Sequence, residues 1–353
     1  MTLDIPQDLD QEMVVPAEPL KQLMIEMLIR KGMSADDAEI GAARLIEADL
    51  RGIHSHGSRA IERYLQAMDD GLIDPCAEFV IERQTSATAV INGQMGMGHV
   101  TSTRAMQLAI EKASAVGTGT VAVRRSQHYG AASVYTLMAV GAGMIGYSTT
   151  NTAYATVAAY GSREAAVANN AFSWAVPTRG GSPFVLDAAC AVSSWGKVHS
   201  LGMYGRQIPE DWAVDKDGQP TTDAAAAETL LPAAGPRGYG LAFLSSVLAG
   251  TLVGGKMPLH KSRAVETDGS EHFFYAIDLR HFVEPDEFYD EIESTIADIR
   301  KLTPADGFDQ VRIPGELEWQ RQQRWATTGI PLHREHVKKL QALADAMQLD
   351  VPW

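Results

Sequence analysis

Residues 131–149 read AASVYTLMAVGAGMIGYST, and within them Gly141-Ala142-Gly143-Met144-Ile145-Gly146 matches the dinucleotide fingerprint letter for letter. That glycine loop works only when a strand feeds it and a helix leaves it, because the pyrophosphate must meet the helix N-terminus. Here the order is reversed. Ala131–Val140 has helical spacing, and Met144–Thr149 reads as a strand. The glycines therefore mark a helix stop and a turn rather than a dinucleotide loop.

The same alternation extends outward. Ala87–Asn92 (ATAVIN) and Gly119–Val123 (GTVAV) read as strands, with a helix over Thr101–Ala115 between them. Downstream come a strand at Pro183–Asp187, a long ordered loop at Gln207–Ala224, a helix at Gly240–Leu252 and a strand at His272–Asp278. Asp286–Lys301 is a helix with Phe288, Ile292 and Ile296 on one side, and Glu335–Met347 is another. Before Phe79 the texture is helical. Leu20, Leu23, Met24, Met27 and Leu28 form one apolar face that Gly32 stops. Ser34, with Asp37 three residues on, opens a second helix. Ile61, Leu65 and Met68 mark a third, ending near Gly71. A layered α/β lobe flanked by a helical region is expected.

With 45% hydrophobic and 21% charged residues, the 353-residue chain is globular. A formal charge of −14 argues against a nucleic-acid partner. Two cysteines, Cys76 and Cys190, build no disulfide framework, although one bridge stays open; a reducing cytoplasm fits best. Met1–Pro16 lacks the basic-then-apolar order of a signal peptide. The charge-free run Gly238–Gly255 is diluted by Ser245, Ser246 and Thr251, while Leu241, Leu244, Leu248 and Leu252 recur at helical spacing. It reads as a buried helix rather than a membrane span.

Few motifs carry chemistry. Ser194-Trp-Gly-Lys197 matches a Ser-x-x-Lys nucleophile motif, but its partner motifs are absent. His54 and His56 lack further ligands for a metal, so none is expected. Arg51–Arg59 (RGIHSHGSR) is the densest polar cluster in the chain. Its Arg, Ser and His side chains suit the carboxylate of a small substrate, and they equally suit a well-capped turn between helices. His128, in SQHYG between a strand and a helix, stands where α/β lobes build sites. An imidazole there can give or take a hydroxyl proton, or be a satisfied loop histidine.

Taken together and in order, several segments resemble one family: RGIHSHG (51–57), SQHYG (126–130), Asp187-Ala-Ala with Trp195-Gly-Lys197, WAVDKDGQPTTD (212–223), LPAAGPRGYGL (231–241), TPADGFDQVRIPG (303–315) and Gly329-Ile-Pro-Leu332. This is the malate/L-lactate dehydrogenase family of the second type, which includes ureidoglycolate and sulfolactate dehydrogenases and cyclic ketimine reductases. The resemblance spans about residues 15 to 335. It implies a family-specific non-Rossmann nucleotide-binding lobe with a mixed sheet, plus a helical region from the N-terminus and the C-terminal tail. The implied division is a helical dimerisation and substrate region at 1–85 with 290–353, and a nucleotide-binding region at 86–289.

The resemblance also implies an intertwined homodimer, NAD or NADP as cofactor, and a small carboxylate substrate, with no membrane or nucleic-acid partner. Hydride would move between the nicotinamide and C2 of a 2-hydroxy or 2-oxo acid. The alternative is reduction of a cyclic or N-alkyl imino acid. His128 matches the family's proton donor and acceptor. Ser55, His56 and Arg59 match substrate positions. Thr152, Asp187, Ala188, Ala189, Arg237, Gly315 and Glu316 match cofactor positions. Arg237 replaces a usual Lys, and Ala168-Asn-Asn-Ala171 departs from the usual Gly-Thr-Asn-Pro, which should alter that turn.

Overall fold

The computed structural model describes residues 8, 10–151, 154–262, 268–351 and 353. Its centre is a seven-stranded sheet. The strands are β2 (Val80–Gln84), β3 (Thr88–Asn92), β4 (Thr118–Ser126), β5 (Met144–Asn151), β8 (Ala171–Val176), β9 (Phe184–Ala189) and β12 (Ser270–Asp278). Their spatial order is β2-β3-β4-β12-β5-β8-β9. Only β3 and β4 run parallel; every other neighbouring pair is antiparallel. A doubly wound dinucleotide fold needs parallel strands with crossover helices, so this mixed sheet excludes it.

Helix α5 (Ser133–Gly141) precedes β5, as the reading of Gly141–Gly146 requires. Gly143 makes the turn at φ +73°, a left-handed conformation that glycine adopts without steric cost. Gly146 lies within β5, where α5 packs so closely that a Cβ would stand 2.8 Å from the Thr136 carbonyl oxygen.

Chain ends build a second body. Helices α1 (Ala17–Arg30), α2 (Ala35–Leu50) and α3 (Ile61–Asp69) share one apolar core with α9 (Glu316–Thr328) and α10 (Arg334–Ala346). Strands β1 (Glu12–Val15) and β13 (Ile330–His333) tie the two ends together antiparallel. Ser34 caps α2 by accepting from the Asp37 N–H at 3.2 Å. Helix α4 (Gly98–Val116) covers the central sheet. A separate core gathers around the small sheet β10-β11-β6-β7, whose strands are β6 (Val157–Ala158), β7 (Ala165–Val167), β10 (Ala213–Val214) and β11 (Thr229–Leu230). The expected long loop at 207–224 holds only the short β10.

Three features differ from expectation. Helix α6 (Trp195–Met203) occupies the Ser-x-x-Lys motif, and Ser194 is its N-cap, accepting from the Lys197 N–H at 3.2 Å. Helix α9 was not legible, because ELEWQRQQRWATT buries only Glu316 and Trp325. Helix α7 (Pro236–Ser245) continues as a π-helical turn over Ser246–Gly250, and it is not the buried helix that its leucines suggest. Its small residues Ala242, Ser245, Ser246 and Ala249 face the interior, whereas Leu241, Leu244 and Leu252 are 43%, 52% and 62% exposed. Small side chains let the backbone approach the sheet closely and leave the bulky ones outside. Among the described residues, no helix is long and apolar enough to cross a membrane. Helix α8 (Pro285–Arg300) turns Phe288, Ile292 and Ile296 inward, each half-buried.

Candidate active site

The site follows from what ends α2. Asp49, fully buried in its last turn, accepts the backbone N–H of Ser58 at 2.7 Å and meets His54 Nδ1 at 2.9 Å. One carboxylate thus organises the whole turn from 54 to 58. Gly57 makes room for it, since a Cβ there would lie 2.2 Å from Asp49 Oδ1. Arg51 turns away from the turn: it is 1% exposed and donates to Gln322 on α9 at 3.2 Å. The opening residue of RGIHSHG is therefore a tie between helices.

Beyond that turn, Ser55 Oγ and His56 Nδ1 stand 2.9 Å apart, and the His56 ring stacks on His128 at 5.5 Å. Arg59 donates to Ser200 Oγ at 2.9 Å and to the Gly196 carbonyl at 3.4 Å, both on α6. One helical turn later, Arg63 reaches His128 Nδ1 at 3.1 Å, and Tyr64 Oη reaches the same nitrogen at 2.7 Å. Neither Arg59 nor Arg63 has an ion-pair partner among the described residues. Sequence reasoning named Arg59 and missed Asp49, Arg63 and Tyr64. The i, i+4 spacing of Arg59 and Arg63 was a readable signal, because it sets both on one helical face.

His56, His99, His128 and His272 are held neutral. Burial holds His128 well below the ordinary histidine range, with Arg63 and His56 adding to the effect. Burial also lowers His56 to about 4, helped by Arg63 and Arg59. His99 and His272 are lowered to about 3, chiefly by burial. The cluster therefore holds unpaired guanidiniums beside uncharged rings, an arrangement that attracts an anion.

The expected cofactor positions lie along β9, the edge strand of the large sheet. Asp187 is exposed there, and its Oδ2 accepts the N–H of Ser133 at the start of α5, 3.1 Å away. Ala188 and Ala189 follow, half-buried and paired with Phe172 and Ala171. Near one end of the strand, Gly315 packs so tightly that a Cβ would be 2.6 Å from Val185 Cβ. Glu316 beside it is buried, its Oε2 accepting the Ile313 N–H at 3.3 Å. At the other end the first turn of α7 presses on Cys190, with Gly238 against its carbonyl. Arg237 in that turn is exposed and has no ion pair among the described residues. After β9 the chain enters α6, where a Cβ on Gly196 would sit 2.5 Å from Ser55 Cβ, so this helix packs on the turn that carries the expected substrate positions. Thr152 lies outside the described residues.

The altered turn at 168–171 is held by its asparagines. Asn169 donates to the Ser193 carbonyl at 2.9 Å and accepts from the Ala191 N–H at 2.7 Å. Asn170, 1% exposed, donates to Ser246 Oγ at 2.7 Å in the π-helical turn. None of the four residues has a positive φ, so the turn needs no glycine. Cys190 donates its thiol to the Asn170 carbonyl at 3.0 Å, and burial pushes that thiol up to about 12; it and Cys76 are both free.

Among the described residues, no group of three or more His, Cys, Asp and Glu side chains is placed to hold a metal ion. A pocket lined by Asp37, Asp74 and Arg104 lies at the foot of α4 and includes none of the expected site residues.

A non-Rossmann mixed α/β fold with a neutral histidine beside two guanidiniums fits an oxidoreductase of the dehydrogenase type, and the relatives of the chain carry that class. The chain belongs to the malate/L-lactate dehydrogenase family, whose model matches residues 15–341. It is 34% identical over 341 residues to a malate dehydrogenase of Pyrococcus horikoshii, covering 94% of each chain. The solved structure of malate dehydrogenase from that organism superposes with a TM-score of 0.89 at 31% identity, covering 98% of both chains. It is also 34% identical over 329 residues to a ureidoglycolate dehydrogenase (NAD(+)) of Escherichia coli K12, covering 91% of this chain and 93% of that one. The structure of a delta1-piperideine-2-carboxylate reductase from Pseudomonas syringae pvar. tomato matches with a TM-score of 0.83 at 25% identity, covering 94% of this chain and all of the other.

Proposed function

We propose that the protein moves a hydride reversibly between a nicotinamide cofactor and C2 of a small 2-hydroxy or 2-oxo acid, malate-, lactate- or ureidoglycolate-like. The observation that carries this is the His128 ring, held neutral against Arg63 with no carboxylate beside it among the described residues. Such a place suits a substrate that brings its own carboxylate and needs a proton moved at the neighbouring oxygen. His128 exchanges that proton, while Ser55, His56 and Arg59 hold the carboxylate.

The residues along β9 fit a dinucleotide. The exposed Arg237 at the N-terminus of α7 offers phosphates a free guanidinium and a helix start, and Asp187 offers a hydroxyl or amide an acceptor. Ala188, Ala189, Gly315 and Glu316 line the same edge, and Thr152 belongs to this proposed set by resemblance alone. When bound, the nicotinamide supplies or takes the hydride. The chain's part is to orient the acid, exclude water and manage the proton.

The same proposal covers the assembly and the compartment. Leu241, Leu244 and Leu252 form an exposed apolar ridge that a second copy would bury in a homodimer. Two free thiols suit a reducing cytoplasm. Sedimentation at the mass of one chain would remove the dimer.

The test is absorbance at the reduced-nicotinamide band, with NADH and NADPH each offered 2-oxo acids and cyclic imino acids. Turnover of an oxo acid supports the reading and names the cofactor. Turnover of imines alone transfers it to ketimine reduction, the second reading, which the Pseudomonas syringae likeness favours. Tight nucleotide binding without turnover on either class counts against both.

A further inference from the structure

The surroundings of His128 fix which nitrogen holds its proton. Nδ1 lies 2.7 Å from Tyr64 Oη, 3.1 Å from Arg63 Nη2 and 3.2 Å from the backbone nitrogen of Gly130. A guanidinium N–H and a backbone N–H can only donate. Nδ1 therefore presents its lone pair, and the ring proton sits on Nε2. Of the three neighbours, only the Tyr64 hydroxyl can reverse its role, because a phenol both donates and accepts.

The remaining neighbours work against a second ring proton. Arg63 and Tyr64 face His128 from α3, His56 from the turn after α2, His99 from α4 and His272 from β12. Among these groups there is no carboxylate, so nothing offsets the positive charge that a second ring proton would add. Losing the Nε2 proton without replacement would leave an imidazolate, which is worse still. The ring needs a partner that refills Nδ1 as Nε2 empties. Tyr64 is placed for this and is 2% exposed. Arg63 Nη2 donates to its Oη at 3.2 Å, and Arg63 Cζ lies 5.1 Å from its ring centroid. Burial pushes the Tyr64 hydroxyl above the usual phenol range, and that guanidinium offsets part of the cost of a phenolate there.

We propose that Tyr64 is the proton reservoir behind His128: as the Nε2 proton passes to the substrate oxygen, the Tyr64 hydroxyl proton moves to Nδ1, and Arg63 pairs with the phenolate. This rests on the hydride-transfer reading above. In the reducing direction the hydride brings its electron pair to the substrate carbon, and the carbonyl π pair moves onto oxygen and takes the Nε2 proton. The Nε2–H and Tyr64 O–H bonds break while the Nδ1–H and substrate O–H bonds form. The Nδ1 proton then returns to the Tyr64 oxygen while Nε2 takes one proton from water, the one that carbonyl reduction consumes. Tyr64 and Arg63 act through His128 as positioning residues.

Two measurements test this. Ring-nitrogen NMR of the full-length, ligand-free protein with labelled histidine, assigned with His128→Asn, reads the tautomer without any turnover. A neutral Nε2–H ring throughout about pH 6 to 8 is expected. An Nδ1–H ring, or a charged ring near neutrality, overturns the proposal whatever the enzyme reduces. In Tyr64→Phe the charged ring becomes the remaining proton source. Its kcat for reduction should fall about 10²-fold with KM little changed, and then climb about tenfold per pH unit of acidification, where the parent is flat. A Tyr64→Phe enzyme with the parent's flat profile overturns the proposal, whether its rate is kept or uniformly lowered. If no acid is reduced at all, the function reading fails, and the NMR result still decides the tautomer.

Discussion

Two glycine-bearing turns, 141–146 and 51–57, both follow a helix and both match a motif, yet they do opposite things. In the first, the glycines serve the lobe's own packing. Gly143 turns the chain, Gly146 admits α5 against β5, and a Cβ on Gly141 would meet nothing within 4 Å. In the second, Gly57 admits a buried carboxylate that in turn shapes the backbone carrying Ser55 and His56. A motif's letters are the same whether its neighbours are a helix or a reaction site. What separates the two turns is which side chains come to them from elsewhere in the chain.

The sharpest way to break this contrast is at His128, the distant residue on which the role proposed for the second turn rests. His128→Ala should lower kcat/KM by about 10²–10⁴-fold, the usual range for lost acid–base work, with the thermal midpoint little changed. A near-parental rate would reduce the 51–57 turn to the same architectural status as 141–146.

Acid should separate the two regions next. His99 and His272 are buried on the His128 side and His336 is buried against the 51–57 turn, and burial lowers each to about 3. His336 also meets Ser58 Oγ at 2.9 Å. A histidine kept neutral when folded takes up a proton on unfolding once the pH drops below its unfolded value. Stability is thus fully present above about pH 6.5 and is lost as pH falls towards about 3, at about 1.4 kcal/mol per pH unit for each ring. Denaturant titrations at a series of pH values should show this slope, and His272→Gln should make it shallower. An unchanged slope in that variant would show that the ring carries no such burden.

Much of the fold was legible because it rests on local periodicity. The helix–turn–strand order around Gly141, the helices capped at Ser34 and stopped at Gly32, and the strand His272–Asp278 all announce themselves within a dozen residues. What was illegible depends on partners distant in sequence. Tyr64 and Arg63 meet His128 across more than sixty residues, so no short pattern marks them. The leucines of α7 repeat as a core face would, but the single chain's interior accepts the small residues between them. Ser194 and Lys197 show the converse, a nucleophile pattern that is a helix cap.

Gly57→Ala probes the 51–57 turn directly. The new methyl group would overlap Asp49, whose carboxylate has no room to retreat while it holds Ser58 and His54. A cost of about 1–3 kcal/mol is expected, as for other overpacked interiors, together with a loss of turnover larger than that destabilisation explains. Activity and denaturation measured on the same sample separate the two. A fully active, stable variant would mean that Asp49 moves freely and does not organise the turn.

The smallest effects belong to the fingerprint turn, and they sharpen the comparison most. In Gly146→Ala the methyl group meets the Thr136 carbonyl oxygen and Ala139 Cβ, each at 2.8 Å, and should cost about 1–3 kcal/mol. In Gly141→Ala it meets nothing, φ is not positive, and the last residue of α5 gains helix propensity. The change should be neutral or stabilising, by no more than about 1 kcal/mol. A genuine pyrophosphate loop would behave differently, because its glycines let phosphate approach the backbone, and both substitutions would weaken nucleotide binding far more than they altered folding. Equilibrium nucleotide titration of both variants beside the parent is therefore decisive. Unchanged affinity in each assigns the six residues to packing alone, whereas a large loss in Gly141→Ala, where a methyl group meets no protein atom, would place the nucleotide at the turn and overturn the first reading made from this sequence.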